Sequence, residues 1–203
     1  MAEDLHEDDT PAVRKRPRPG ERRVQILRML ATMLEQGDEQ RITTAALAAR
    51  LGVSEAALYR HFASKAQMFE GLIDFIENAL MALIRQVQER VAPGHIQATR
   101  IVTLVLQFAD KNPGMTRVMT GDALVLEHAR LQERVNFLFD KIEAVLRQTL
   151  REGAADSATP SLNAQVKASW LMAFTQGRLQ QYARSGFKRS VLTHLDACLA
   201  LMA

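Results

Sequence analysis

The chain has 203 residues, 47% of them hydrophobic and only 5% aromatic, which suffices for a small module plus a second helical domain with its own core. Its single cysteine, Cys198, excludes an internal disulfide and a cysteine-rich zinc site and fits a reducing cytoplasm, while no apolar run reaches membrane-spanning length and the acidic N-terminus is no signal peptide. The net charge of +3 is unevenly spread: residues 1–13 carry five acids and no Lys or Arg, residues 14–65 carry eleven Lys and Arg against five acids, and the remainder carries fifteen against thirteen.

Residues 1–20 hold three prolines, a glycine and segregated charge, and read as a disordered tail. The run Arg14-Lys15-Arg16-Pro17-Arg18 within it suits either a basic arm for a minor groove or a solvated tail. Abundant Ala, Leu, Arg and Met favour helix over strand from there on, because unbranched side chains lose little freedom in a helix. A first helix is predicted over 21–36, with Leu27, Leu30, Ala31 and Leu34 on one face, ended by Gly37-Asp38. Thr43 or Thr44 caps a short helix to about Arg50, Leu51-Gly52-Val53 is a tight turn, and Ser54 caps a helix to about Phe62. Ser64 opens a fourth helix that runs to about Val91 and stops at Pro93-Gly94. A fifth covers about 96–111, apolar on most sides, and Asn112-Pro113-Gly114 breaks it before a short piece to Met119. A long helix follows over about 122–152, then a Gly/Ala/Ser/Pro linker over 153–161, then helices over about 162–184 and 190–202. The expected fold is all-α with about nine helices: a tail (1–20), a helix-turn-helix module (21–66) and a helical dimerisation and partner domain (67–203).

Three short helices with a glycine turn between the second and third make a helix-turn-helix. The positive excess falls in that segment, which is the electrostatic footprint that phosphate binding needs. Val53, Ala57 and Leu58 are expected to pack inward on Leu47 and the first helix. Ser54, Glu55, Ala56, Tyr59 and Arg60 are left nearer a DNA groove, where the start of a recognition helix meets base edges. One of Thr43 and Thr44 must cap its helix, and the same hydroxyl also suits a phosphate.

The stretch Arg41-Ile42-Thr43-Thr44-Ala45-Ala46-Leu47 through Gly52-Val53, Tyr59, His61-Phe62 and Ser64-Lys65 resembles the DNA-binding signature of the TetR family. The resemblance implies a TetR-like homodimer in which Tyr59, His61 and Lys65 touch the DNA backbone and Phe62 belongs to the core. Taken from the residues alone, Tyr59 also suits packing between helices and His61 the capping of a turn. A narrower similarity runs from about Arg22 to Leu150 through Met68-Phe69, Leu72-Ile73, Phe75-Ile76-Glu77, Asn112-Pro113-Gly114 and Leu131-Gln132. It is to the nucleoid occlusion factors within that family. It implies palindromic chromosomal sites, a nucleoid-associated cytoplasmic location, and contact with the C-terminal tail of the tubulin-like division protein FtsZ.

On the fourth helix Phe69, Leu72, Ile73, Ile76, Leu80, Leu83, Ile84, Val87 and Val91 form one stripe, and Phe75 lies about 120° from its centre with Met68, Ala79 and Ala82 nearby. Phe75 is therefore either a contact for a peptide or helix, or core in a sandwiched helix. The resemblance assigns Phe75, Leu104, Lys111 and Asn112 to the tail groove, although Leu104 on its chemistry suits the core. The chain departs from the relatives' pattern at Leu83 and Lys111, where arginine is expected, and at Gln107, where glycine is expected. Near the C-terminus Ala164, Ala168, Ala173 and Gly177 stand beside Trp170, Leu171 and Phe174, as close helix packing requires, and a TetR-like fold dimerises through its last two helices. Trp170, Ala173, Phe174 and Gly177 are the expected interface. His95, His128 and His194 lack metal-ligand spacing, Cys198 reads as buried packing, and no catalytic or cofactor motif is present. The alternative function is a ligand-released TetR-type repressor, which needs an apolar cavity that sparse aromatics and a crowded fifth helix disfavour.

Overall fold

The computed structural model describes residues 20–36, 42–154 and 159–201. The expected tail with its Arg14–Arg18 run, the Gly37-Asp38 stop, Arg41, the middle of the 153–161 linker and Met202 lie outside the described residues. Among those described there are nine α-helices and one 3₁₀ turn, and no strand. The helices are α1 (Glu21–Gln36), α2 (Thr44–Leu51), α3 (Glu55–Tyr59), α4 (Lys65–Arg90), α5 (His95–Lys111), α6 (Pro113–Met119), α7 (Ala129–Glu152), α8 (Pro160–Arg184) and α9 (Leu195–Ala200), with the 3₁₀ turn at Asp122–Leu124.

Local chemistry sets the first boundaries. Thr43 is the cap of α2, its hydroxyl accepting from the Ala46 N–H at 3.1 Å. Gly52 closes α2 in the left-handed region at φ 64°, and the N–H groups of Gly52 and Val53 donate to the carbonyls of Ala49 and Ala48. Ser54 caps α3 through the Ala57 N–H at 3.3 Å, and Ser64 caps α4 through the Gln67 N–H at 3.1 Å. Gln67 reaches back to accept from the Ala63 N–H at 2.8 Å, so both sides of that helix start are satisfied.

Three boundaries differ from expectation. The third helix ends at Tyr59 and not at Phe62, because the His61 and Phe62 N–H groups both turn onto the Leu58 carbonyl and Phe62 swings into the core. The long helix α7 begins at Ala129 and not near Asp122. Gly121, at φ 83°, turns the chain, and the extended His128 caps the helix by accepting from the Arg130 N–H at 3.3 Å. The last helix starts at Leu195 and not at Ser190, because the Arg178 guanidinium donates to the Thr193 carbonyl at 2.8 Å and to the Val191 carbonyl at 3.5 Å, tying that backbone to α8.

One contiguous core runs through the described residues, from Ile26, Leu30, Leu47, Leu58 and Phe62 at one end to Leu138, Leu146 and Leu195 at the other. On α4 the buried face is Met68, Phe69, Leu72, Ile73, Ile76, Leu80 and Ile84. Met68 is thus core and not part of a second strip, while Leu83, Val87 and Val91 are half-buried. α4 is zipped to α7 and the loop before it by ion pairs: Lys65 with Glu127, Arg130 with Glu70 at 2.7 Å, Arg134 with Asp74 at 2.6 Å, and Lys141 with Glu77. α1 packs on α2 and α4, and most extensively on α6. Tyr182 ties α8 to the end of α5 by donating to the Asp110 carbonyl at 3.1 Å. Burial, and then the nearby Asp110 and Glu35 charges, push its phenol up from the usual 10.0.

Candidate nucleic-acid interface

The helix-turn-helix is built as its residue types require. Leu47 and Leu58 are buried, Val53 packs half-buried against the core, and Ala57 is half-buried. Ser54, Glu55, Ala56 and Arg60 are exposed, and Tyr59 is 45% exposed, so Tyr59 is not filling the space between helices. Its hydroxyl lies 3.4 Å from Thr44 Oγ1, and Thr44 donates to Glu55 Oε2 at 2.6 Å. This chain joins the start of α2 to α3 and divides the two threonines: Thr43, exposed, is the cap, and Thr44, half-buried, is engaged by Glu55.

His61 is half-buried and its backbone carbonyl accepts from the Arg23 guanidinium, which also stacks over the Phe62 ring at 4.1 Å. Arg23 stands with the exposed Arg28, Arg50 and Arg60 among the basic residues counted for this module, but its contact with the end of α3 is one that sequence reasoning missed, because it depends on α1 crossing there. Lys65 is the exception among the expected backbone contacts. Its ammonium is held by Glu127, the lysine side chain 23% and the glutamate side chain 11% exposed, and it lies 5.7 Å from the Phe69 ring.

The residues assigned to the tail groove are divided between core and surface. α4 and α5 form a hairpin across Val91–Gly94, and a helical rise of about 1.5 Å per residue sets Phe75 level with the end of α5. Phe75 is half-buried and packs on the core, so it is not free of the core as its place on the helical wheel allows. Lys111 is exposed. Asn112 is half-buried, closing α5 and opening α6 while its amide donates to the Phe108 carbonyl at 2.6 Å. Leu104 is half-buried and lines an open groove of about 600 Å³ with Val87, Ile96, Arg100, Gln107 and Leu199. That groove unites Leu104 with Gln107 but is not lined by Phe75, Lys111 or Asn112.

On α8 the exposed residues Leu162, Val166, Trp170, Ala173 and Gly177 fall on one stripe. Trp170 is 51% exposed and stacks on the half-buried Phe174 with ring centroids 6.2 Å apart. A Cβ at Gly177 would meet open space. Ala164 and Ala168, expected among the residues that admit a neighbouring helix, are buried. His95 is half-buried, and His128 and His194 are exposed. No group of residues able to hold a metal ion occurs among the described residues. Cys198 is half-buried, with the Arg178 guanidinium 3.2 Å from its sulfur. No described helix is long and apolar enough to cross a membrane.

Comparison with known proteins bears on both halves of this architecture. Residues 26–72 match the family model for bacterial regulatory proteins of the tetR family, and residues 94–202 match a tetracyclin repressor-like C-terminal domain of the SlmA-like kind. The chain is 49% identical over 177 residues to a Nucleoid occlusion factor SlmA of Idiomarina loihiensis, covering 87% of this chain and 90% of that protein. A protein of the same name from Shewanella woodyi is 48% identical over 86% of this chain and 89% of its own. Among solved structures, the fatty acid degradation regulator FadR of Bacillus halodurans superposes with a TM-score of 0.76 at 14% identity, covering 93% of this chain and 96% of its own. The regulator PfmR of Thermus thermophilus superposes at 0.71 and 19%, covering 88% and 96%. These two likenesses carry the fold alone. The identity through both modules carries more: the chain belongs to the TetR family, among its SlmA-type nucleoid occlusion factors.

Proposed function

We propose that this nucleoid occlusion factor binds palindromic chromosomal sites as a homodimer and, when bound, blocks septum formation by engaging the C-terminal tail of FtsZ. The observation that carries this reading is that near-half identity to SlmA relatives continues from the helix-turn-helix into the second module. It acts in the cytoplasm on the nucleoid, by binding and not by turnover. The N-terminal turn of α3, with Ser54, Glu55 and Ala56, reads base edges; Thr43, Thr44, Tyr59, Arg60, His61 and Lys65 hold phosphates. The exposed stripe of α8 with Trp170, Ala173, Phe174 and Gly177 supports dimerisation, since a two-fold protein matches a two-fold site.

Phe75, Leu104, Lys111 and Asn112 receive the tail peptide between α4 and α5. Lys111 sits exposed where it can meet a carboxylate while staying hydrated, although it lacks the planar fork of the arginine expected there. Gln107 adds a side chain where relatives are expected to have none, on the open groove that Leu104 also lines. A flexible tail binds such a surface weakly, because ordering it offsets much of the contact energy. Adjacent dimers on one DNA segment raise the apparent affinity by avidity.

The test is a pair of titrations, against operator DNA and against an FtsZ tail peptide. Phe75→Ala removes packing as well as peptide contact, so Lys111→Asp is the cleaner variant. It is expected to keep operator affinity within about twofold and to weaken peptide binding about tenfold or more by like-charge repulsion. Unchanged peptide binding removes Lys111 from the groove. A wild-type protein that ignores the peptide, and is released from DNA by a small apolar ligand, is a repressor instead.

A further inference from the structure

The open groove of about 600 Å³ that Leu104 lines extends the proposed peptide site along α5, away from Lys111. α5 contributes Ile96, Arg100, Leu104 and Gln107 to its lining, α4 contributes Val87, and α9 contributes Asp196. An α-helix turns about 100° per residue, so Arg100, Leu104, Gln107 and Lys111 fall within about 60° of one another on α5. The groove and Lys111 therefore share one helix face. Leu104 and Gln107 stand midway on that face, and Ile96, 64% exposed, stands at its far end.

Arg100 is an unclaimed charge on this face. Its side chain is exposed and makes no ion pair or hydrogen bond among the described residues. The polar side chains next to it are turned to their own helix: Thr99 Oγ1 donates to the Ile96 carbonyl at 3.0 Å, and Thr103 Oγ1 to the Thr99 carbonyl at 2.9 Å. The arginines of α7 are placed differently, Arg130 being held by Glu70 at 2.7 Å and Arg134 by Asp74 at 2.6 Å. Asp196 is the one carboxylate on the groove lining among the described residues, and it is exposed without an ion pair there. A guanidinium between Ile96 and Leu104 matches a carboxylate carried on an apolar chain, and Asp196 restricts that carboxylate to the α5 side.

Arg100 and Lys111 are eleven residues apart, about 16 Å along a helix that rises about 1.5 Å per residue. An extended peptide covers that distance in about five residues. We propose that the tail peptide of the α4–α5 site continues past Leu104 into the groove between α5 and α9, and that Arg100 receives an acidic group of that peptide about five residues from the group that meets Lys111. The proposal rests on the reading of the α4–α5 surface as the peptide site. Two cations at a fixed spacing, with Leu104 between them, select a tail whose acidic groups flank an apolar residue, so Arg100 sets which segment of a flexible tail fits.

The test titrates a synthetic FtsZ tail peptide into the full-length dimer on operator DNA selected from random sequence, at low salt, where exposed charges are screened least. Arg100→Glu is expected to weaken peptide binding about tenfold or more and Arg100→Ala about fivefold, with operator affinity within about twofold of wild type, because the side chain holds nothing in the protomer. Leu83→Arg supplies the rescue. Leu83 is half-buried outside the core cluster, seven residues before the end of α4, and Arg100 is five residues past the start of α5, so the two stand within about 3 Å of the same height. Arg100→Ala combined with Leu83→Arg is expected to bind the peptide within about twofold of wild type, since the cation returns from the facing helix. Neutralising the peptide's acids one at a time is expected to identify one whose loss makes wild type and Arg100→Ala equal, and a different one on which Lys111 depends. Wild-type affinity in Arg100→Glu, with affinity lost in Lys111→Asp, overturns the proposal and leaves the α4–α5 site standing. A double variant as weak as Arg100→Ala also overturns it, since the loss then comes from groove shape and not from charge. A wild type that binds no peptide removes the α4–α5 reading and this proposal with it.

Discussion

The Lys65 ammonium has two claims on its charge. Glu127 holds it in the free protein, in a site where both side chains are mostly shielded from water, and the family resemblance gives it a DNA phosphate. A carboxylate and a phosphate cannot both be its main partner, so if Lys65 takes the phosphate proposed for it, Glu127 opposes DNA binding by the cost of breaking the pair. Lys65→Ala is expected to weaken binding to all sequences alike and to reduce the log–log salt slope by about 0.9, the share of one phosphate contact. Glu127→Gln is expected to raise operator affinity, because the lysine is then free in advance. Fluorescence anisotropy across a salt series measures both. A Lys65→Ala slope equal to that of the wild type, with unchanged affinity, would leave the lysine as a structural ion-pair partner only. Tyr59 and Thr44 show the same principle at lower stakes, since both are exposed enough to meet DNA and both already hold a neighbour.

At the scale of elements, the short helices α2 and α3 depend on their ends more than on their length. Neither is long enough to be stable alone, and each is stopped or started by a side-chain cap or a left-handed residue. Gly52 is the sharpest case: a Cβ there meets no atom within 4 Å, so substitution costs only the strain of φ 64°. Gly52→Ala is expected to lower stability by about 1–2 kcal/mol, measured by thermal unfolding, and to weaken DNA binding through misplacement of α3. An unchanged melting temperature would show that the turn relaxes to another conformation at no cost. The α4–α7 seam works differently. Glu77 lies between Arg134 and Lys141, with Asp74 beside it, so complementary charge along the two long helices favours the same register as their apolar packing.

For the whole molecule, the stripe Leu162, Val166, Trp170, Ala173 and Gly177 is the apolar surface that a protomer leaves uncovered along α8. Gly177 opens onto empty space in the protomer, so a side chain there disturbs no internal packing. Gly177→Asp is therefore expected to fold as the wild type does yet sediment as a monomer, because an unpaired charge in an apolar interface is costly. Loss of the dimer should in turn abolish high-affinity operator binding, which needs both reading heads. A Gly177→Asp protein that remains dimeric moves the interface off this stripe.

The sequence by itself determined the parts whose causes are local. Thr43, Ser54 and Ser64 cap helices because their hydroxyls reach N–H groups three residues on, and Gly52 turns the chain because it lacks a Cβ. The exposed edge of α3 and the apolar stripe of α4 followed from helical period alone. Tertiary structure decided what period and capping do not encode. Met68 lies off the main stripe yet is buried, because α4 is covered on more than one side. The stretch before α9 escapes the helix because a distant group, Arg178 on the carbonyls of Val191 and Thr193, claims atoms that a continuing helix would arrange otherwise. Arg23 met the end of α3, and Phe75 packed half into the core, through the same long-range packing. The meeting of Gly114 with Ala31 belongs to this second class. A glycine after Asn112-Pro113 reads as a helix breaker, and only the arrival of α1, about eighty residues earlier in the chain, makes it a point where two modules touch, since a Cβ there would stand 1.9 Å from the Ala31 carbonyl oxygen.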